Sequence, residues 1–408
     1  MPTQASRQDA WPQGREALKP LNTLTELFTE SVIRMMTRIC NQAGGINLSQ
    51  GFPDWDAPEP IKEAAVKALR DGFNQYAITF GQESLRRAIA RKTEDYNGYP
   101  VDRDQEITVV CGATEGMIAT LKSIINPGDE VVIFEPFYEN YGPDTLLSGA
   151  KPRYVTLHPP GWEFDPDELA AAFNSNTKAL VMNSPNNPTG KVFSRRELEQ
   201  IDELCIQWDC YCVCDDIYEH ILYDGAEHIA MASLPGMRER TITINSVSKT
   251  YSATGWRVGW VIASAPVTAA IRKVHDFLTV GAAAPLQEAA AVALELPLSY
   301  YRELQQRYQQ ARDFLYPVLE ELGFGPVLPQ GAYYIITEPV EIMERLGAGD
   351  DFELAQRLIE VTGVATVPGS SFYSRPELGR RQVRFCFCKK METLERAAAG
   401  LGKLEGAG

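Results

Sequence analysis

The segment Lys178-Ala179-Leu180-Val181-Met182-Asn183 runs directly into Ser184-Pro185-Asn186-Asn187-Pro188-Thr189-Gly190. A nearly continuous apolar run closed by two prolines and a glycine reads as a strand buried on both faces that stops at a rigid turn. Working outward, Ile107–Cys111, Glu130–Phe134 and Pro152–Leu157 precede it, and Tyr211–Cys214, Thr241–Asn245 and Val258–Ala263 follow. Helical patterns such as Glu115–Ile125 and Ser194–Trp208 lie between them. Strands apolar on both faces that alternate with helices predict an α/β fold: a large domain with a mainly parallel sheet of seven strands, covered on each side.

The flanks read differently. Residues 1–20 carry no periodic pattern and are expected to be a loose, flexible N-terminal arm. Apolar residues recurring at three and four predict a helix over Leu21–Asn41, followed by a short strand at Ile46–Gly51. Helices are expected at Pro60–Asp71 and Ser84–Asn97, and the chain becomes mostly helical after Thr268. Strands near Ala332–Ile336 and Val383–Cys388, with helices near Phe352–Val361 and Lys389–Leu401, give a smaller α+β domain. The expected partition is 21–55 with 300–408 for the small domain and 56–299 for the large one.

Four hundred and eight residues exceed what one hydrophobic core usually spans, in keeping with two domains. Thirty-nine basic against fifty-four acidic residues leave −15, which repels phosphate backbones and argues against nucleic acid as a partner. No apolar run is long enough for a membrane span, so no membrane partner is expected. The polar stretch Met1–Pro20 lacks an apolar signal core. Eight cysteines without a sign of export suggest reduced thiols and a cytoplasmic protein. Cys210, Cys212 and Cys214 alternate like a metal cluster, but no CxxC pair or nearby histidine completes a tetrahedral set. They read as small buried hydrophobes on one strand face, as do Cys386 and Cys388, and no metal is expected.

Chemistry in an open α/β sheet collects at the carboxyl ends of the strands. Gly112-Ala113-Thr114-Glu115-Gly116 follows the first of them, a glycine turn opening a helix. Its free N–H groups and the helix dipole suit a phosphate, although a plain strand-to-helix turn explains it as well. In the turn after Asn183, two prolines fix the backbone and leave the Asn186 and Asn187 side chains free to donate. Asp215 ends an apolar strand and needs a cationic or donor partner, with a helix N-cap as the plain alternative. Ser246-Val247-Ser248-Lys249-Thr250 places a lysine among small hydroxyls and apolar residues. Burial there lowers an ammonium pKa and frees an amine that makes Schiff bases with carbonyl compounds. Arg257, eight residues on, is near enough to share an anion, and Pro136-Phe137-Tyr138 offers an aromatic face.

One molecule answers all of these at once. A phosphorylated, planar pyridine aldehyde would use Lys249 for its carbonyl and Asp215 for its ring proton. Asn187 and Tyr218 could donate to its ring hydroxyl and Tyr138 could stack on it, while Gly112–Thr114, Ser246 and Arg257 could hold its phosphate. That molecule is pyridoxal 5'-phosphate. Separately, Val383, Phe385 and Phe387 face one way while Arg384, Cys386 and Cys388 face the other. A buried arginine on such a face has a bidentate carboxylate as its natural partner. An internal salt bridge is the alternative.

These residues resemble the class I/II aminotransferases of pyridoxal-phosphate fold type I over about residues 22–402. Within them the chain looks most like the branch of kynurenine aminotransferase and glutamine transaminase K. The motifs that carry the resemblance are Asn47-Leu48-Ser49-Gln50-Gly51-Phe52-Pro53, Asn74-Gln75-Tyr76, Pro185-Asn186-Asn187-Pro188-Thr189-Gly190, Asp215 with Tyr218, Ser246 with Lys249, and Val383-Arg384-Phe385. The resemblance implies that Lys249 is the Schiff-base and catalytic lysine, Asp215 the pyridinium partner, and Asn187 and Tyr218 the ring-oxygen donors. It likewise implies Tyr138 as the stacking aromatic and Ala113, Thr114, Ser246 and Arg257 as the phosphate cup. Tyr76 would reach the phosphate of a neighbouring subunit, implying a homodimer. Arg384 would clamp the substrate α-carboxylate, with Gly51 and Asn187 beside it. The implied activity moves an amino group from an L-amino acid to a 2-oxo acid. A cysteine-conjugate-type β-lyase, or another biosynthetic enzyme using the same cofactor on this scaffold, is the alternative.

For side-chain specificity, no second arginine is clearly placed to hold a distal carboxylate. Trp55, Tyr76, Phe80, Phe277 and Phe372 suggest an aromatic pocket, and His275 reads as a satisfied structural histidine.

Overall fold

The structure is a computed structural model that describes residues 19–406, so all but the last two residues of the expected N-terminal arm lie outside it. The central sheet is built from β2 (Ile107–Val110), β3 (Glu130–Glu135), β4 (Lys151–His158), β5 (Glu163–Phe164), β6 (Thr177–Asn183), β7 (Tyr211–Asp215), β8 (Thr241–Ser246) and β9 (Gly259–Ile262); β1 (Ile46–Asn47) precedes it. Its order is β2-β9-β8-β7-β6-β3-β4-β5. All seven expected strands are present. The eighth, β5, is a two-residue edge strand antiparallel to β4, too short to carry a periodic pattern. Of the seven, only β9 runs against its neighbours, pairing antiparallel with both β2 and β8.

The alternation along the strands divides the interior into two layers. Val131, Ile133, Val181, Val213 and Ile244 pack on one face of the sheet. Val132, Phe134, Leu180, Met182, Cys212 and Cys214 pack on the other. The alternating cysteines therefore fill space in an apolar layer, with the Cys212 and Cys214 sulfurs 3.7 Å apart. All eight cysteines are free thiols. Among the described residues no helix is long and apolar enough to cross a membrane.

Four more strands complete the structure. β10 (Tyr334–Thr337), β12 (Val367–Pro368) and β13 (Val383–Cys386) form an antiparallel sheet ordered β10-β13-β12. β11 (Val364–Ala365) pairs parallel with β1. The Cys386 N–H donates to the Leu48 carbonyl (2.8 Å), tying β13 to the segment after β1. The first long helix begins only at Val32, not at Leu21, and is preceded by a 3₁₀ turn at Thr23–Glu26. Ser31 halts the earlier turn by capping the helix, its hydroxyl accepting from Arg34 N–H (3.3 Å).

Candidate active site

Five strand ends converge on one side of the sheet. β3 delivers Tyr138, β6 delivers Asn183 and Asn187, β7 delivers Asp215 and Tyr218, β8 delivers Ser248 and Lys249, and β2 delivers Ala113 and Thr114. Because β9 runs the opposite way, its start rather than its end lies on this side, which is why Arg257 joins the others. Gly51 approaches from the β1 segment and Arg384 and Tyr334 from the antiparallel sheet, closing a cavity between the two.

Lys249 is the buried amine of this cavity. Its Nζ donates to the Gly51 carbonyl (3.0 Å) and stands 5.8 Å and 5.9 Å from the ring centres of Tyr218 and Tyr333. Burial pulls its pKa down to about 8, against the pull of Asp215. Asp215 lies across the cavity with Oδ2 accepting from the Tyr141 hydroxyl (2.7 Å), and burial pushes its carboxyl up to about 6. The Asn183 side chain holds the Asp215 carbonyl (2.6 Å) and accepts from Asn187 N–H (2.7 Å), locking the proline turn to β7.

The phosphate-type cradle is built by close backbone approach. Gly112 has φ +84°, and a Cβ there would stand 2.3 Å from Arg257 Nη2. Gly259 admits no side chain either, since a Cβ would meet Gly112 C at 2.8 Å and Ala113 N at 2.9 Å. The 12-residue helix that opens at Ala113 has no side-chain cap, so its first N–H groups stay available. Ser246 sits one step behind the wall, its hydroxyl accepting from Ser248 N–H (3.1 Å), and Ser248 lines the cavity instead.

Arg384 is fully buried. Its Nη1 donates to Asn187 Oδ1 (2.7 Å) and its Nη2 to the Ser49 carbonyl (2.5 Å), while Nε has no partner among the described residues. Its guanidinium lies 4.2 Å from the Tyr334 ring centre and 5.0 Å from that of Phe372. No carboxylate of the described residues pairs with it, so the internal salt bridge is absent there. A buried cation stacked between two rings with an open N–H is arranged for an incoming anion.

Tyr76 does not reach this cavity; it is 89% exposed. The expected aromatic pocket is also rearranged. Phe277 is 92% exposed, Trp55 donates to Ser252 Oγ (2.8 Å) and Phe80 lies under Arg86 and Arg272. Phe372 alone of that set touches the site, beneath Arg384. The ring-bearing wall is instead Tyr138, Tyr141, Tyr218 and Tyr334. Tyr334, bonded to the Tyr218 hydroxyl (2.9 Å), and Tyr141 carried no distinguishing signal in the sequence. His275 is structural: Nδ1 pairs with Glu115 (3.0 Å) and Nε2 bonds the Thr79 carbonyl (2.9 Å).

A parallel sheet whose carboxyl ends gather a buried lysine, a buried aspartate and an anion cradle defines an enzyme of the pyridoxal-phosphate fold type I class. A family model described as aminotransferase class I and II matches residues 43–401. Kynurenine–oxoglutarate transaminase 1 of Homo sapiens is 38% identical over 389 residues, 88% of this chain and 92% of that protein. Methionine aminotransferase of Escherichia coli is 36% identical, covering 95% of this chain and 99% of that one. The solved N-succinyldiaminopimelate aminotransferase of Mycobacterium tuberculosis superposes with a TM-score of 0.91 at 36% identity, over 94% of this chain and all of that one. The chain belongs to the class I and II aminotransferases, a family that works through pyridoxal phosphate.

Proposed function

We propose that Lys249 is the residue through which this aminotransferase carries pyridoxal phosphate and moves the α-proton of its amino acid substrate. The observation that carries the reading is a buried amine held near a pKa of 8, facing a buried carboxyl in one closed cavity. Bound there, the cofactor would supply an aldehyde for the amino group and a pyridinium ring that accepts electron density when the α-proton leaves. The residues fit it: the Arg257 guanidinium lies so close to the Gly112 turn that no side chain could stand between them, and Arg384 keeps an unsatisfied N–H.

The residues then divide the work. Asp215, without a cation of its own, stays ionised against a ring proton, with Tyr141 fixing its direction. Asn187 and Tyr218 donate to the ring oxygen and Tyr138 covers a ring face. The N–H groups of Ala113 and Thr114, the hydroxyls of Ser246 and Ser248, and Arg257 hold the phosphate. Arg384 orients the α-carboxylate beside Gly51 and Asn187, placing the α-proton toward Lys249, whose neutral amine takes it and returns it. A homodimer, with Tyr76 of each protomer reaching its partner's phosphate, belongs to the same reading and is supported by the exposure of Tyr76. The partition into 56–299 and 21–55 with 300–408 is supported by the β1–β11 pairing and the Leu48–Cys386 bond. Cytoplasmic residence is supported by eight free thiols.

Amino donors incubated with the holoenzyme test the activity. Turnover is expected to require an added 2-oxo acid and to yield its amino acid. Release of pyruvate and ammonia from a cysteine conjugate without that acceptor would instead favour the lyase. The cradle has its own test. Gly259→Ala drives a Cβ into unyielding backbone on both sides, a strain of about 1–3 kcal/mol. It is expected to weaken cofactor affinity at least tenfold, read by titration of the apoprotein, because Ala113 must move.

A further inference from the structure

His275 joins two parts of the proposed site that lie far apart in the sequence. It is fully buried near the end of the helix Ala265–Thr279. On one side stands Glu115, in the first turn of the helix that Ala113 opens. Both Glu115 oxygens accept from Nδ1–H (3.0 and 3.1 Å), and Oε2 also accepts from Cys111 N–H (3.0 Å). On the other side Nε2–H donates to the carbonyl of Thr79 (2.9 Å), a few residues past Tyr76.

These partners fix the charge of the ring. Carboxylate and carbonyl oxygens only accept, so each nitrogen needs a proton, and a neutral imidazole carries one. The Thr279 hydroxyl, 3.2 Å from Nδ1, could donate to a bare nitrogen, but both Glu115 oxygens would then face a lone pair at closer range. The ring is therefore an imidazolium. Burial works against that charge, yet Glu115 and the Thr79 carbonyl raise its pKa above the ordinary 6.5, with Asp276 on its own helix adding to them. The Cys111 thiol beside Glu115 is pushed up by burial; Arg257 acts on that thiol and donates to the Thr254 carbonyl. Arg272, one turn earlier on the helix, is turned to the Asp104 and Ile107 carbonyls.

The segment carrying Tyr76 depends on this contact. Asp71–Gln82 forms no helix or strand, and Phe73–Tyr76 is exposed. Among the described residues, the hydrogen bonds that tie Gln75–Thr79 to another element are both at Thr79: its carbonyl with His275 and its hydroxyl with Asp276 (3.5 Å). We propose that His275, an imidazolium bridging Glu115 and the Thr79 carbonyl, is the positioning residue that holds Tyr76 within reach of the neighbouring subunit's cofactor phosphate. This rests on the homodimer reading and deepens it. When the ring loses a proton, the other stays on Nδ1, where the acceptor is charged. A bare Nε2 then faces the Thr79 oxygen and the segment is released. Because the folded pKa is raised, the tether is complete below the ordinary pKa and is lost as pH climbs through the raised one.

The test follows the rate at which the holoenzyme loses cofactor on dialysis, from about pH 6 to about pH 9, for wild type, His275→Gln, Glu115→Gln and Tyr76→Phe. His275→Gln is expected to lose cofactor at least about fivefold faster than wild type at the acid end, and that ratio should close toward one as pH rises. In Glu115→Gln the new amide donates to Nδ1 and keeps the proton on Nε2, so the tether survives in a neutral ring. That variant should hold cofactor longer than wild type at the alkaline end. A ratio constant with pH, or Glu115→Gln no better than wild type there, overturns the proposal. Wild type alone supplies a second arm: nitrogen NMR of labelled histidine should show a ring protonated on both nitrogens above pH 7, titrating in step with cofactor loss. Absence of such a ring overturns the proposal even if the variants fail to fold. Cofactor lost from Tyr76→Phe but not from His275→Gln overturns the role of His275 alone. Cofactor kept by Tyr76→Phe as in wild type overturns the Tyr76 contact instead, and leaves His275 a tether of that segment.

Discussion

Lys249→Met is expected to cut turnover by at least about a thousandfold, since positioned proton transfer alone supplies roughly 10²–10⁴. It should also remove the visible band of a lysine-bound cofactor, and borohydride should no longer fix cofactor mass at residue 249. Methionine nearly preserves volume, so the cavity wall stays filled and the loss reports the amine. The same variant has a second signature in the apoprotein. The amine titrates at about 8 when folded and near 10.5 when free. Between those values the folded state binds fewer protons than the unfolded one, so wild-type stability rises with pH across that interval and is lowest below it. At about 1.4 kcal/mol per pKa unit the burden below pH 8 is of the order of a few kcal/mol. Apo Lys249→Met should therefore melt above apo wild type at pH 7, and the gap should narrow as pH rises beyond 8. A gap that is absent or widens with pH would mean the amine is not held in the low-dielectric setting that the proposed chemistry needs.

Much of this site is legible in the sequence because strand ends announce themselves. Apolar runs that stop at Gly112, Ser184, Asp215 and Ser246 mark where a parallel sheet opens, and polar residues there have few reasons to exist other than chemistry. What the runs do not show is which side chains lean in from outside the sheet. Tyr141 is one helical turn past Tyr138, and Tyr334 sits beside an equally buried Tyr333; only the packing decides which hydroxyl meets Asp215 or Tyr218. The start of the first long helix is hidden for the same reason. It lies eleven residues later than the apolar spacing implies, fixed by the Ser31 cap and by Glu139, more than a hundred residues away, which accepts from Ser31 Oγ and Ile33 N–H. Aromatic composition misleads at Phe277 and Trp55 because a ring's contribution to a pocket depends on direction, which periodicity does not encode.

Arg384→Gln is the second large effect, and it separates a binding role from a structural one. The guanidinium donates to Asn187 Oδ1 and the Ser49 carbonyl and keeps Nε open. Hydrogen bonds to a charged group are worth roughly 1.5–3 kcal/mol each. A bidentate clamp lost from the reacting complex should then lower kcat/KM by roughly 10²–10⁴. Lysine cannot restore it, because a point charge lacks the planar fork and the stacking between Tyr334 and Phe372. Removing the arginine also orphans the Asn187 and Ser49 acceptors, so some loss of melting temperature is expected whichever role is correct. The discriminating measurement is therefore selectivity. Wild type should prefer an amino acid over the amine that lacks its α-carboxylate by the full worth of the clamp, and Arg384→Gln should lose most of that preference while keeping the cofactor spectrum. If the variant is merely less stable and still selects the carboxylate as wild type does, Arg384 braces the proline turn and some other group reads the substrate.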